Sequence, residues 1–230
     1  DKVYEFLSVR KSITLNHIDY SYPNTSEKVL RNINFDIPAL STIGLVGPTG
    51  SGKTTIIDII LGLLEAQKGT LEVDGKVINK YNKRAWQGTI GYVPQAIYLA
   101  DDTIASNIAF GIDPKNINQE AVEQAAKIAN LHDFIINELP QQYQTTVGER
   151  GVRLSGGQRQ RIGIARALYH KPQVLILDEA TSALDNLTEQ TVMQAVQNIR
   201  NDVTVILIAH RLSTVKECDS IIFIENGEIK

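Results

Sequence analysis

Gly47-Pro48-Thr49-Gly50-Ser51-Gly52-Lys53-Thr54 follows the pattern G-x-x-x-x-G-K-S/T. The glycines let the backbone curl so that successive N–H groups point inward at an anion. The run Ile43-Gly44-Leu45-Val46 before it reads as a short buried strand, and Lys53 to about Leu64 after it reads as a helix. That strand–loop–helix order is the context the pattern requires, and the helix N-terminus adds partial positive charge. Lys53 is placed to reach terminal phosphates, and the Thr54 hydroxyl to ligate Mg²⁺. A second constellation is Val174-Leu175-Ile176-Leu177-Asp178-Glu179, an apolar run followed by two acids. Asp178 then sits at the C-terminal end of a buried strand, where ligands bind in open α/β sheets and where an acid can share the Mg²⁺ of Thr54. Glu179 faces another direction and can orient or deprotonate an attacking water. Taken alone, the pair also reads as two ordinary acids at a strand exit.

A third element is Leu154-Ser155-Gly156-Gly157-Gln158, which opens the strongest helical segment of the middle of the chain. Ser155 reads as an N-cap, and the glycines leave backbone N–H groups unobstructed, a second potential anion site. A nucleotide held between two copies arranged head to tail would use both sites, with two nucleotides per dimer by symmetry.

The elements that must position these residues follow from periodicity. Alternation over Ile13–Tyr22 and Val29–Ile37, with the turn signal Pro23-Asn24-Thr25-Ser26 between them, predicts an antiparallel pair. Leu71–Gly75 and Ile90–Val93 read as short strands. From about Thr103 to His170 strand signals vanish and a 3.6-residue period takes over, clearest at Glu120–Asn130 and Gln158–Leu168. After Pro172 strands return at Val174–Leu177, Val203–Ile208 and Ser220–Ile224, with a helix over Leu187–Arg200. Gly227-Glu228-Ile229-Lys230 resembles a hairpin stopped in mid-strand. Apolar runs such as 174–177 suit central parallel strands covered on both faces. The expected architecture is α/β: a parallel-sheet core and an antiparallel β-subdomain within about 1–100 and 171–230, and an inserted helical subdomain at about 101–170.

Composition narrows the class. The 230 residues are 43% hydrophobic and 21% charged, ordinary for a globular protein, which excludes disorder and disulfide scaffolds. A net charge of −3 implies no general attraction to nucleic acid, and none is expected as a partner. The single cysteine, Cys218, can form no intrachain disulfide and reads as a semi-buried thiol near a strand, compatible with a reducing compartment. The longest apolar stretch, Ile56–Leu64, is broken by Asp58 and falls short of the roughly 20 residues a membrane span needs. The chain begins at Asp1 and its only methionine is Met193, so it is expected to be part of a longer polypeptide.

Together the phosphate loop, the Asp-Glu strand end and L-S-G-G-Q resemble the nucleotide-binding domain of ATP-binding cassette (ABC) proteins, over about Ile13 to Lys230. The resemblance implies a phosphate-loop ATPase core with a helical signature subdomain, and ATP and Mg²⁺ as cofactors. It implies an ATP-binding set of Tyr22, Gly47, Pro48, Thr49, Gly50, Ser51, Gly52, Lys53, Thr54 and Thr55, with Tyr22 the aromatic that stacks on adenine. Leu154, Ser155, Gly156, Gly157 and Gln158 match the signature that meets ATP in trans, and Ser182, Ala183, Leu184 and Asp185 match the D-loop. Glu179, His210, Gln95 and Lys53 match the catalytic positions, and Thr54, Gln95 and Asp178 the Mg²⁺ ligands. His17, His132 and His170 match nothing.

Thr146-Val147-Gly148-Glu149-Arg150-Gly151 resembles the X-loop of ABC exporters. In exporters this loop and the segment after Gln95, here Ile97-Tyr98-Leu99, face the membrane domain. The resemblance therefore implies an exporter motor, a second copy as ATP-dependent partner, a membrane domain fused N-terminally, and a place on the cytoplasmic face of a membrane. General family likeness leans to lipid or lipid-linked cargo. The alternatives are an importer's ATPase subunit, whose X-loop looks different, and a soluble ABC ATPase acting on nucleic acid or ribosomes. Nucleic-acid members split the cassette with a long coiled coil, and no heptad run lies between Lys53 and Asp178.

Overall fold

The computed structural model describes residues 7–178, 186–210 and 212–230. Along the chain lie β1 (Ser12–Tyr20), β2 (Leu30–Pro38), β3 (Thr42–Val46), α1 (Lys53–Ile60), β4 (Lys68–Val73), β5 (Lys76–Val77), α2 (Lys83–Gln87) and β6 (Ile90–Val93). Then come α3 (Ile104–Ile108), α4 (Gln119–Ile128), α5 (His132–Glu138), α6 (Gly156–Tyr169), β7 (Val174–Asp178), α7 (Asn186–Ile199), β8 (Thr204–Ala209), β9 (Ser220–Glu225) and β10 (Glu228–Ile229).

Two sheets form. The N-terminal one has the order β2-β1-β4-β5 and is antiparallel throughout, with Ile13 opposite Ile37 and Val73. The other has the order β10-β9-β3-β8-β7-β6. Its centre is parallel: β3 lies between β8 and β9, with Leu45 beside Ile208 and Ile222, while β10 closes on β9 as an antiparallel hairpin. Every residue of β3 and β8 is buried, as strands covered on both faces must be. The expected α/β phosphate-loop architecture is the observed one.

The chain divides into two compact units. The first comprises the chain up to Ile90 with Gln173–Ile176 and Asn201–Lys230; the second comprises Gly91–Pro172 and Leu177–Arg200. The first unit's core joins Ile13, Leu15 and Ile18 of β1 to Ile56, Ile57 and Ile60 of α1 and to Ile43, Ile206 and Ile224. Each such side chain contributes about 1.5–3 kcal/mol relative to exposure. In the second unit α4 packs on α6, burying Val122, Ala125 and Ala126 and, from α6, Ile162, Ile164, Ala165 and Leu168.

Helix α1 ends at Ile60, one turn earlier than its apolar run predicts. Gly62 takes the left-handed φ of +69°, and the Leu63 N–H turns back to Asp58 O at 2.8 Å. The indole of the fully buried Trp86 donates to Ile60 O at 2.6 Å, and Gln87 Nε2 donates to Leu61 O at 3.0 Å. Helix α2 thus caps α1, which gives Trp86 a role beyond packing. β1 stops at Tyr20 rather than Tyr22. Among the described residues no helix is long and apolar enough to cross a membrane.

Candidate nucleotide-binding site

The phosphate loop leaves β3 and enters α1 within the first unit. Its curl depends on absent side chains. A Cβ on Gly47 would overlap the carbonyl oxygen of Ile224, and one on Gly52, where φ is +110°, would sit 2.7 Å from Leu30 Cδ2. Gly52 caps α1 without any side-chain hydrogen bond, and the first helical bond runs from Ile56 N–H to Gly52 O at 3.0 Å. The first-turn amides therefore face the loop's concavity, the arrangement that binds anions. Lys53 is nearly buried and folds back so that Nζ donates to Gly47 O at 2.6 Å and Pro48 O at 2.9 Å. Ser51 Oγ is buried without a hydrogen-bond partner, an unsatisfied polar atom inside the same loop. A glycine cradle, a helix N-terminus, an inward ammonium and an unsatisfied hydroxyl together fit a polyphosphate. Thr54, second in the helix, keeps its side chain exposed at the rim.

Tyr22 stands beside this loop. Its hydroxyl is 3.0 Å from Thr55 Oγ1, and its ring meets the buried ring of Tyr20 edge to face at 5.1 Å. Tyr22, Val29, Arg31, Gly50, Asn226 and Gly227 line a cavity of about 320 Å³. His210 follows β8 in the same unit and is exposed.

The second unit holds the other predicted residues. Asp178 ends β7, half-buried, and its Oδ2 accepts from Tyr92 Oη at 3.1 Å. Gln95 is exposed, and its carbonyl accepts from Gln160 Nε2 of α6 at 2.7 Å. Ser155 caps α6 as its type predicts. Its Oγ accepts from Gln158 N–H at 3.2 Å, while Gln158 Oε1 accepts from Ser155 N–H at 2.8 Å. The S-x-x-Q spacing signals this reciprocal box in the sequence: the serine's residue type marks the cap, and the glutamine three residues on completes it. Gly157 is buried, Gly156 exposed and Leu154 half-buried. Glu179 and Ser182, Ala183, Leu184 and Asp185 lie outside the described residues.

Ile97, Tyr98 and Leu99 line a cavity of about 550 Å³ with Gly148, Glu149, Val152, Arg153, Leu154 and Arg159, so the segment after Gln95 and the X-loop share one surface. Asp101 ties them: its Oδ1 accepts from Arg150 N–H at 3.2 Å, and Val147 N–H donates to Asp102 O at 2.9 Å. Arg166 of α6 grips the segment from the other side. Its guanidinium donates to Asn107 O at 2.8 Å and Tyr98 O at 3.1 Å and lies over the Phe110 ring. Burial pushes the Arg166 guanidinium below its ordinary range. The structure thus gathers Tyr22 and residues 47–55 in one unit, and Gln95, Asp178 and residues 154–158 in the other. The roles of Tyr92, Asn226 and Gly227 are not read from the sequence, since each depends on a contact distant along the chain.

Residues 30–182 match the family model described as ABC transporter. The chain belongs to the ABC transporter family. It is an ABC ATPase domain and as such binds ATP. It is 41% identical over 229 residues to an ATP-dependent lipid A-core flippase of Aliivibrio fischeri, covering 100% of this chain and 39% of that protein. It is 41% identical over 218 residues to Multidrug resistance protein pgp-1 of Caenorhabditis elegans, covering 94% of this chain and 16% of that one. A solved structure, that of a bacterial Atm1-family ABC exporter with ATP bound, superposes with a TM-score of 0.86 at 37% identity, covering 100% of this chain and 40% of that chain. The ABC ATPase domain therefore spans about two fifths of the bacterial relatives it matches.

Proposed function

We propose that this ABC ATPase domain is the motor of an exporter, fused to a membrane-spanning domain on its N-terminal side and working at the cytoplasmic face of a membrane. Two copies close head to tail around two ATP molecules. The observation that carries the reading is the buried Lys53, whose ammonium is held by loop carbonyls within a glycine cradle.

In this reading residues 47–55 bind the triphosphate and Tyr22 stacks on the base, while Leu154–Gln158 of the opposing copy cover the same nucleotide. Lys53 and the loop amides stabilise charge on the transferring phosphoryl group. Glu179 takes the proton of the attacking water, Gln95 orients that water, and His210 contacts the terminal phosphate. Ser182, Ala183, Leu184 and Asp185 bridge the two copies. The Thr54 hydroxyl, Asp178 and Gln95 would hold Mg²⁺, which supplies charge neutralisation at the phosphates. The shared surface of Ile97–Leu99 and the X-loop supports docking of the membrane domain. The names of the bacterial relatives support a lipid-linked cargo.

The test is Glu179→Gln in the 230-residue chain with Mg-ATP, followed by light scattering and phosphate release. A dimer with negligible turnover is expected. A monomer that hydrolyses ATP at the unsubstituted rate overturns the assignment.

A further inference from the structure

Tyr92 faces away from the side chains on either side of it. It belongs to β6, the last strand in the order of the larger sheet, beside β7. Its neighbours turn inward: a Cβ on Gly91 would crowd Pro172 and Ala167, and Val93 is fully buried. Alternation puts Tyr92 on the other face, where it is 40% exposed and adds little to the core. A phenylalanine or a β-branched residue would serve the strand there as well. What the phenol adds is a hydroxyl, and Oη donates to Asp178 Oδ2 at 3.1 Å. Asp178 ends β7, half-buried, and both residues lie in the second unit.

That bond joins two segments with the same proposed task. Asp178 and Gln95 are both read as Mg²⁺ ligands, and Tyr92 stands three residues before Gln95 on the stretch that leaves β6. Carboxylate, amide and hydroxyl oxygens form the hard donor set that suits this ion. Mg²⁺ also demands near-ideal octahedral geometry, so its ligands must be well oriented. A carboxylate turns easily about its last torsion. A hydrogen bond to one oxygen fixes where the other points.

We infer that Tyr92 is a positioning residue for the metal: its hydroxyl sets the orientation of the Asp178 carboxylate and ties that ligand to the segment bearing Gln95. The inference rests on the reading of Asp178 as a Mg²⁺ ligand. Tyr92 acts through that ligand and not on the ion itself. Losing a hydrogen bond of this kind costs about ten-fold in metal affinity.

The experiment titrates the 230-residue chain with the non-hydrolysable analogue adenylyl imidodiphosphate, once with excess Mg²⁺ and once with EDTA. The ratio of the two dissociation constants is the ion's contribution to the complex. Tyr92→Phe keeps the ring and removes the hydroxyl. It should cut the ratio about ten-fold by weakening the Mg²⁺ complex, and leave the EDTA complex within about two-fold. Binding without the ion draws on residues 47–55 and Tyr22 of the first unit, so it doubles as the check that the variant is folded. Asp178→Asn should cut the ratio at least as far, and adding Tyr92→Phe to it should change nothing more. In Tyr92→Phe the Mg²⁺ concentration for half-maximal phosphate release from ATP should rise as the ratio falls.

An unchanged ratio in Tyr92→Phe overturns the inference. A larger ratio does so too, since the hydroxyl would then compete with the ion. Equal weakening with and without Mg²⁺ would make Tyr92 a structural support only and also overturn it. So would losses that multiply in the double variant, because the hydroxyl would then act elsewhere than through Asp178. Failure of the underlying reading looks different: Asp178→Asn would then leave the ratio where it is in the unsubstituted chain.

Discussion

Gly227 donates its amide to Ser51 O at 3.0 Å, and its own carbonyl accepts from Arg31 N–H at 2.8 Å. The turn of the C-terminal hairpin is thereby hydrogen-bonded into the phosphate loop on one side and into β2 on the other. A loop rich in glycine has few contacts of its own to hold its curvature. Here the backbone of a distant hairpin supplies them.

Gly227 and Gly75 allow the geometry to be tested against a control. Both have a left-handed φ, +76° and +79°. A Cβ on Gly227 would overlap Val29 O, whereas one on Gly75 meets nothing within 4 Å. Gly75→Ala should cost about 1 kcal/mol, the backbone penalty alone. Gly227→Ala should cost about 2–3 kcal/mol and also weaken ATP binding. Urea unfolding and an ATP titration on both variants check this, and equal costs would remove the hairpin from the account.

The reciprocal box at the start of α6 predicts a non-additive pair. Ser155→Ala should destabilise the chain by about 1 kcal/mol, and Gln158→Ala by less. The double variant should cost little more than Ser155→Ala, because each half depends on the other. Denaturant midpoints decide it, and simple additivity would show that the two bonds act separately.

Asp74 predicts a pH dependence. Burial pushes its carboxyl up, but N–H donors from Arg10, Ser12 and Lys11, at 2.9, 3.0 and 2.7 Å, with the Lys11 charge, outweigh this and hold it below the ordinary carboxylate value. A depressed native value means that the unfolded chain binds the proton first on acidification. The contribution is therefore complete above the ordinary carboxylate range and is lost as the pH falls through the native value. On this exposed surface screening limits it to about 1 kcal/mol. Asp74→Asn should lower the unfolding midpoint at pH 7 and converge with the unsubstituted chain at acid pH.

Arg166 should tolerate lysine poorly. A single ammonium cannot reproduce the bonds to Asn107 O and Tyr98 O together with the stacking on Phe110. Arg166→Lys should cost about 2–3 kcal/mol, close to the cost of Arg166→Met. Thermal unfolding of the two variants makes the comparison; a lysine variant as stable as the original would mean that charge alone suffices.

Much of this domain is legible because its signals are local. The phosphate loop, the strand run into Asp178 and the serine cap each lie within a few neighbouring residues, so residue types alone specify them. The helices α2, α3 and α5 are only five to seven residues long, too short for a clear period. The end of α1 shows the mixed case. Gly62 is a stop signal visible in sequence, but the indole of Trp86 on Ile60 O joins positions far apart in the chain. The Tyr22–Thr55 and Gly227–Ser51 pairs are of this second kind, and no propensity or motif announces them.

Asp101, Asn107 and Arg166 leave the stretch from Tyr98 to Thr103 very little slack. Asn107 is 1% exposed, and its side chain bonds Ala100 N–H and the carbonyls of Ala100 and Thr103. Asp101 is fastened to Arg150, a few residues before Ser155, and Arg166 fastens the same stretch to the far end of α6. Mechanically this is a strut pinned to the loop before α6 at one end and to the far end of α6 at the other. A displacement imposed at the exposed ring of Tyr98 is therefore expected to reach both anchors of this stretch, the loop before Ser155 and the far end of α6.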